Sequence, residues 1–350
     1  MSSGSGSGRL RSALALRNLG GIYVWLLIIV IFSLSQPDTF PSLDSARSVA
    51  NTYAISGIIA LAVIVPLIAG VFDISVGQTM GLAGTLSAWV MAETSLPWWA
   101  AVLVGVGSGV IVGLVNAGVV VLGKIEPIIA TLATGSIIAA ATTAVSHNNS
   151  IVNNVGGAFS ENVAGKSVVG FGEPFLLMLL LMLILGVFLE ATKTGRYLYA
   201  IGFDADTARL AGIRVKALQT LALVSSGGLA AVAGVMLTAR IGASSPNSGP
   251  PYLLPAFAGA FLGATMFRNG RFNSWGTVVA TMLLGTGQFG ILLSGGPVWS
   301  PDVFNGVALI VAVGLASVNL SSPQNVRRLL GLFRRLRIPR RETTGPPPPR

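Results

Sequence analysis

Residues 202–213 read GFDADTARLAGI and place three charged side chains between two oily runs. The run before them is PFLLMLLLMLILGVFLEATK (174–193), and the run after them is LALVSSGGLAAVAGVMLTAR (221–240). Each run supplies about the 20 mostly apolar residues that a helix needs to cross a bilayer. The pattern predicts two membrane-spanning helices joined by a short polar connection.

The whole chain has the composition of a membrane protein. Of its 350 residues, 52% are hydrophobic and 10% are charged, and the mean hydropathy is +0.76. Because a soluble domain carries about 25% charged residues, we expect an all-α polytopic membrane protein. The apolar segments predict ten transmembrane helices, at residues 20–35, 50–70, 75–92, 98–122, 127–145, 174–191, 219–239, 253–267, 275–294 and 303–319.

The positions of the basic residues predict how these spans are oriented. When the amino terminus is placed in the cytoplasm and the ten spans alternate, both termini are cytoplasmic. Of the 22 lysines and arginines, only Arg47, Lys166 and Arg240 then fall outside. This split follows the positive-inside rule. It also accounts for the basic pI of 10.8, so we expect no nucleic-acid partner.

Charge and composition divide the chain into three parts. Residues 1–19 predict a flexible basic tail, and residues 20–320 predict a transmembrane domain with a cytoplasmic loop at 192–218. Residues 321–350 form a second basic tail that ends in prolines. Its interleaved arginines and leucines favour contact with the anionic headgroups of membrane lipid.

Most enzyme chemistry is poorly supported by the residue inventory. The chain has no cysteine and a single histidine, His147, so we expect neither a catalytic nucleophile nor a metal site. The stretch GVVVLGK (118–124) imitates half of a phosphate-binding loop, but Ile125 stands where a serine or threonine should bind magnesium. We therefore expect no ATPase site in this chain. Ionisable residues are also scarce within the spans, which argues against a self-powered transporter.

Three polar residues in or beside the spans are candidates for a gate or a substrate path. Asp73 precedes a predicted helix and could cap it, or it could take part in a gate. Asn116 lies in an apolar helix, where its amide could bond to a neighbouring helix or line the path. Gln288 is the third candidate for the path.

The polar connection contains the signals for a short helix. Asp204 is placed to cap its start, and Asp206 and Arg209 have the charges that the two ends of a helix favour. Gly212 suits the left-handed position that ends a helix, with Ile213 as the closing hydrophobic contact.

Such a helix is about 10 Å long and too short to be stable alone in water. It must therefore pack against something. We expect Leu210, Ala211 and Ile213 to be its exposed apolar residues. The helix is then either offered to a partner protein or rests on its own bundle.

Four stretches resemble segments of the permease subunits of bacterial ABC importers of the ribose type, and they occur in the same order as in that family. One is the polar connection with its flanks, and each of the others includes a boundary of a predicted span. They are TGRYLYAIGFDADTARLAGIRV (194–215), FDISVGQTMGLAG (72–84), EPIIATLATGSI (126–137) and LGATMFRNGRFNSWGTVVA (262–280).

The resemblance implies the transmembrane permease of a sugar importer in the bacterial inner membrane. It implies a second permease copy, cytoplasmic subunits that carry ATP and Mg²⁺, and a periplasmic or lipid-anchored sugar-binding protein. The helix that would insert into a groove of the ATPase maps to Asp204, Asp206, Arg209, Leu210 and Gly212. Two alternatives stay open: another small polar cargo, such as a nucleoside or an amino acid, and a self-powered secondary transporter.

Overall fold

The computed structural model describes residues 16–267 and 270–320. The tail predicted at 321–350 lies outside the described residues, as does the tail predicted at 1–19 apart from residues 16–19, which belong to the first helix. Arg268 and Asn269 also lie outside them.

Helices dominate the described part of the chain. Two short strands, β1 (Ser167–Val168) and β2 (Phe171–Gly172), form an antiparallel hairpin. The thirteen α-helices of the described residues are α1 (Leu16–Ser35), α2 (Leu43–Ile68), α3 (Val76–Glu93), α4 (Trp98–Ala117), α5 (Pro127–Ser146), α6 (Ala158–Val163), α7 (Glu173–Ala191), α8 (Lys193–Phe203), α9 (Ala205–Leu210), α10 (Val215–Ile241), α11 (Leu253–Ala264), α12 (Ser274–Leu293) and α13 (Ser300–Leu320).

Every predicted span coincides with one of these helices. Six of them in the described residues are long and apolar enough to cross a membrane: α2, α4, α5, α7, α10 and α12. The chain is therefore a multi-pass membrane protein. The count of ten crossings and the cytoplasmic position of both termini stay predictions.

Helix α2 lies at the centre of the bundle. Its run from Ala54 to Ile64 is buried on every side, as expected for a helix that is hydrophobic all round. Helix α7 is also strongly apolar, but only four of its 19 residues are buried. Apolar composition alone therefore does not separate the central helix from a peripheral one.

Small residues bring α3, α4 and α10 into close contact. A Cβ atom on Gly109 of α4 would lie 2.3 Å from the carbonyl oxygen of Gly227 in α10. On the other side of α10, a Cβ on Gly234 would lie 2.1 Å from the carbonyl oxygen of Met80 in α3. Glycine at these positions lets the backbones approach directly, as in other tightly packed membrane helices.

The first turns of α2 hold the hairpin. The Asn51 amide donates to the carbonyl oxygen of Gly170 at 3.0 Å and accepts from the backbone N–H of Gly172 at 2.8 Å. Arg47 donates to the carbonyl oxygen of Val169, and Arg240 donates to that of Asn51. Two of the three basic residues predicted to lie outside thus meet at this end of the bundle.

The far end of α2 contacts the polar connection. A Cβ atom on Gly202, in α8, would lie 2.0 Å from the carbonyl oxygen of Ile68. Helix α2 has 26 residues and is about 39 Å long. The hairpin and the α8–α9 segment therefore lie at opposite ends of the bundle.

Two helices are too short to cross the bundle by themselves. Helix α11 has 12 residues, or about 18 Å of helix, against a hydrocarbon core of about 30 Å. Helix α3 begins at Val76, several residues after the end of α2. Non-helical segments at 69–75 and 242–252 complete these two passages.

A single methyl group tests the contact between α4 and α10. In Gly109→Ala the new Cβ would lie 2.3 Å from the Gly227 oxygen, so the backbone must shift, and such overpacking costs about 1–3 kcal/mol. We expect a lower midpoint of thermal unfolding for the detergent-solubilised chain. The matched control is Gly107→Ala on the same helix, where the Cβ meets no atom of the described residues within 4 Å. An equal fall in both variants would contradict the close contact.

Candidate functional site

A buried carboxylate lies in the non-helical segment before α3. Asp73 is 2% exposed. One of its oxygens accepts hydrogen bonds from the backbone N–H of Ser75 at 3.0 Å and from the Ser75 hydroxyl at 2.7 Å. The other accepts from the hydroxyl of Ser226, in the middle of α10, at 3.0 Å. Asp73 thus binds an amide at the start of α3 and also links this segment to another helix.

Asn116 extends this network to two more helices. Its amide nitrogen donates to the Ser75 hydroxyl oxygen at 2.8 Å, and its carbonyl oxygen accepts from the Thr134 hydroxyl of α5 at 2.6 Å. Asp73, Ser75, Asn116, Thr134 and Ser226 form what we call the buried polar cluster. It joins α4, α5 and α10 to the segment before α3.

The hydrogen bonds of the buried polar cluster point toward the carboxylate. Thr134 donates to Asn116, Asn116 donates to Ser75, and Ser75 donates to Asp73. Aligned bonds of this kind polarise one another in a low-dielectric interior. Among the described residues, no lysine or arginine forms an ion pair with Asp73. Hydroxyl and amide donors alone therefore compensate the buried acceptor.

Gln288 lies apart from the cluster. Its side-chain nitrogen donates to the amide oxygen of Asn305 at 2.9 Å, and both residues are buried. This bond ties α12 to α13. The structure therefore brings Asp73 and Asn116 together through Ser75 but leaves Gln288 elsewhere. A role in the path stays a prediction for all three.

The sequence analysis missed three members of the cluster: Ser75, Thr134 and Ser226. Ser226 lies in an i, i+4 row of small residues with Ala230 and Gly234, a pattern that indicates helix packing but not the partner of a hydroxyl group. A hydroxyl directly after the acid in Asp73-Ile74-Ser75 was the one local signal available.

The second candidate site is the helix α9, at the end of the bundle where α2 stops. One Asp204 carboxylate oxygen accepts from the backbone N–H groups of Asp206 and Thr207, each at 3.0 Å, and the other accepts from the Thr207 hydroxyl at 2.7 Å. These bonds, led by that of the Thr207 N–H, lower the pKa of Asp204. Because the folded pKa is depressed, the cap is intact at neutral pH and is lost only as the pH falls through that value.

Helix α9 ends in the way that the sequence predicts. Gly212 has a φ of 81°, in the left-handed region. Its N–H donates to the carbonyl oxygen of Arg209, and the N–H of Ile213 donates to that of Ala208, each at 3.0 Å. These two bonds form the Schellman motif. Arg209 also forms an exposed ion pair with Asp206 at 2.9 Å, a contact of little energetic weight.

Two apolar side chains project from this region. Leu210 is 90% exposed and Phe203, at the end of α8, is 94% exposed. The expectation that Ile213 belongs to the exposed set is wrong, since Ile213 packs against the main hydrophobic core as part of the helix stop. We call Phe203, Asp206, Arg209 and Leu210 the coupling surface. Phe203 was missed because it lies one residue before the predicted cap, Asp204, and so outside the predicted helix.

Backbone contacts connect the coupling surface to the buried polar cluster. Gly202, next to Phe203, packs on the carbonyl oxygen of Ile68. Gly70 has a φ of 73° and packs back on Gly202. Asp73 follows three residues later. These contacts join α8 to the segment that carries the cluster.

The family described as the permease component of branched-chain amino acid transport systems matches residues 45–313. The chain belongs to this family. The match spans α2 to α13 and includes both the buried polar cluster and the coupling surface. The chain is thus the permease component of a transport system.

Several curated permeases are similar over most of their length. The ribose import permease protein of Bacillus subtilis is 29% identical over 85% of this chain and 92% of its own. The D-allose transport system permease protein of Escherichia coli is 29% identical, over 85% and 90%. The autoinducer 2 import system permease protein of Photorhabdus laumondii is 30% identical, over 88% and 95%.

A search of solved structures found one similar chain. This metal-chelate type ABC transporter, in an inward-facing conformation, matches 86% of this chain and 97% of its own at 15% identity and a TM-score of 0.45. The family assignment does not rest on it.

Substitutions of Asp73 test what the buried polar cluster requires. Asp73→Ala leaves three buried donors without their acceptor, at a cost of about 1–3 kcal/mol for each unsatisfied group. Asp73→Asn keeps one oxygen for Ser75, and the Ser226 hydroxyl can turn to accept from the new amide. We expect the thermal midpoint to fall clearly for Asp73→Ala and only slightly for Asp73→Asn. Equal stability of the alanine variant and the native chain would contradict this role.

Proposed function

We propose that this permease carries a monosaccharide across the inner membrane of a bacterium as the transmembrane subunit of an ABC importer. A cytoplasmic ATP-binding subunit drives it, and a periplasmic or lipid-anchored sugar-binding protein delivers the cargo. The coupling surface is the observation that carries the proposal. It belongs to a capped helix with exposed apolar side chains, which is joined through Gly202 of α8 to the last residue of the central helix α2.

The local structure of α9 suits it to transmit force. Asp204 fixes its first turn and Gly212 fixes its last, so the helix keeps its shape although it is short. Leu210 and Phe203 project where a partner can cover them. When the ATP-binding subunits close, α9 moves, α8 follows, and the contact between Gly202 and Ile68 passes the displacement to the segment that holds Asp73.

The two ends of the bundle differ in a way that supports the orientation. The loop at 192–218 carries five basic residues, Lys193, Arg196, Arg209, Arg214 and Lys216, so we assign it to the cytoplasm with both termini. The hairpin end then faces the periplasm, where the sugar-binding protein docks.

We assign ATP and Mg²⁺ to the partner subunits and no cofactor to this chain. The stretch that imitates a phosphate-binding loop continues α4 as a π-helical turn, Gly118–Leu122, and Lys124 follows with a φ of 55°. In a true phosphate-binding loop the glycines connect a strand to the start of a helix. The geometry of this stretch therefore supports the interpretation that its likeness to a phosphate-binding loop is a coincidence of sequence.

A second permease copy completes the proposal. Ile111 of α4 and Ile137 of α5 leave apolar surface beside Asn116 and Thr134. Membrane lipid or a second copy covers such a surface. Two copies would give one coupling surface to each of two ATP-binding subunits.

The nature of the cargo rests on the relatives. The names of three similar permeases refer to ribose, D-allose and autoinducer 2. The description of the family names branched-chain amino acids instead, so an amino acid is the second candidate. Competition for uptake by unlabelled leucine would favour it over a sugar.

Leu210→Asp tests the coupling surface. In vesicles that contain the permease with its ATP-binding subunit and binding protein, we expect ATP-driven ribose uptake to fall at least about tenfold. The reason is that an unpaired carboxylate buried at an interface costs more than the ~1.4 kcal/mol that a tenfold change represents. The fold should survive, because Leu210 is 90% exposed.

The matched control is Val298→Asp. Val298 is also 90% exposed but follows the far end of α12, away from α8 and α9. Co-purification with the ATP-binding subunit should equal that of the native chain for Val298→Asp and should fall for Leu210→Asp. Native uptake in Leu210→Asp would refute the assignment of the coupling surface, and uptake without any ATP-binding subunit would favour a self-powered transporter.

A further inference from the structure

The passage through α11 is only half helical. The eleven residues before α11, GASSPNSGPPY (242–252), follow the end of α10 and contain a single 3₁₀ turn, Pro250–Tyr252. We call residues 242–252 the non-helical half-span. Because α11 supplies about 18 Å, this segment must cover the rest of a hydrocarbon core of about 30 Å.

Glycine contacts place the non-helical half-span deep in the bundle. A Cβ atom on Gly249 would lie 1.9 Å from the carbonyl oxygen of Gly77 and 2.7 Å from the backbone nitrogen of Gly81, both in α3. Helix α3 continues beyond Gly81 to Glu93, which is about 18 Å of further helix. Gly249 therefore lies near the middle of the membrane-spanning region, beside the start of α3.

Near its start, at Ser244, the half-span finds hydrogen-bond partners within the protein. The Ser244 hydroxyl lies 3.2 Å from that of Thr85, and the Ser244 backbone exchanges hydrogen bonds of 2.8 and 2.9 Å with Ile151. Within residues 16–267 and 270–320, by contrast, the side chains of Ser245, Asn247 and Ser248 have no hydrogen-bond partner. Asn247 is exposed, and the two serines are partly exposed.

Membrane physics limits what can cover these groups. Non-helical backbone and bare amides do not face lipid, since hydrocarbon offers them no hydrogen bonds. Such segments occur at membrane depth only when protein buries them or when they line a water-filled cavity. Transporters commonly bind their cargo where spanning helices are interrupted in this way.

We propose that Ser245, Asn247 and Ser248 line a water-filled part of the transport path and hydrogen-bond directly to the hydroxyl groups of a neutral, polyhydroxylated cargo. The half-span contains no Asp, Glu, Lys, Arg or His, so it offers hydroxyl and amide groups without a net charge. The identity of the cargo rests on the proposed function, whereas the water-lined path does not.

The position of the half-span also explains how the path responds to ATP. Gly77, which contacts Gly249, lies two residues after Ser75 of the buried polar cluster. A displacement passed from α8 to Asp73 therefore reaches the residues that face the cargo within one turn of α3.

Cysteine labelling tests the proposal directly, because the chain contains no cysteine. Asn247→Cys is prepared in the complete importer, together with Ile111→Cys as the control. Ile111 is 62% exposed and lies on α4 between Gly109 and Gly113, which pack on the middle of α10. Both thiols react with a charged, membrane-impermeant methanethiosulfonate, with and without saturating ribose. Co-purification with the ATP-binding subunit checks the fold, and Ser248→Cys replaces Asn247→Cys if assembly fails.

We expect the thiol at position 247 to react at least about tenfold faster than that at position 111, because the reactive thiolate forms in water and not against lipid. Ribose should slow its reaction. Equal rates at both positions would overturn the path. So would a spontaneous disulfide between two copies that blocks the reagent, since protein would then bury the segment. Fast reaction without protection by ribose would support the path and contradict the sugar cargo.

Discussion

The hydrogen bonds that converge on the Asp73 carboxylate allow the chain to be non-helical inside an apolar bundle. At that depth a polar group must find its partner within the protein or in a water-filled cavity. The backbone N–H of Ser75 and the hydroxyls of Ser75 and Ser226 all donate to the Asp73 carboxylate. Asn116 and Thr134 extend this network to α4 and α5. Helix α3 can consequently begin in the middle of the bundle rather than at its surface. The rest of the arrangement depends on that late start.

A helix that starts deep leaves room for a second interruption beside it. The glycines at the start of α3 accept the backbone of Gly249, so the non-helical half-span reaches the level of the cluster. At the other end, Gly202 and Gly70 let α8 rest on the last turn of α2. The coupling surface, the buried polar cluster and the half-span thus form a chain of direct contacts. Glycine is needed at each junction because backbone meets backbone there.

Local features of this structure could be predicted from sequence, and long-range partnerships could not. The capping roles of Asp204 and Gly212 depend only on the few residues around them, so the start and the end of α9 can be predicted from the sequence. Ile213 was misplaced because its outward or inward direction depends on how α9 sits on the bundle. Ser226 and Asp73 are 153 residues apart, and no local pattern pairs a serine in a small-residue row with a distant acid. The half-span was hidden for a related reason, since a short apolar segment reads as a complete crossing.

In the proposed mechanism, displacement of α9 reaches the buried polar cluster through the contact of Gly202 with Ile68. The most direct test is the number of ribose molecules imported per ATP hydrolysed by the reconstituted importer, compared between the native permease and Gly202→Ala. The new Cβ would lie 2.0 Å from the Ile68 oxygen and must displace α8 from α2, while the four side chains of the coupling surface keep their identity. The account predicts a complex that assembles and hydrolyses ATP but imports little ribose for each ATP. An unchanged ratio in an assembled complex would contradict it.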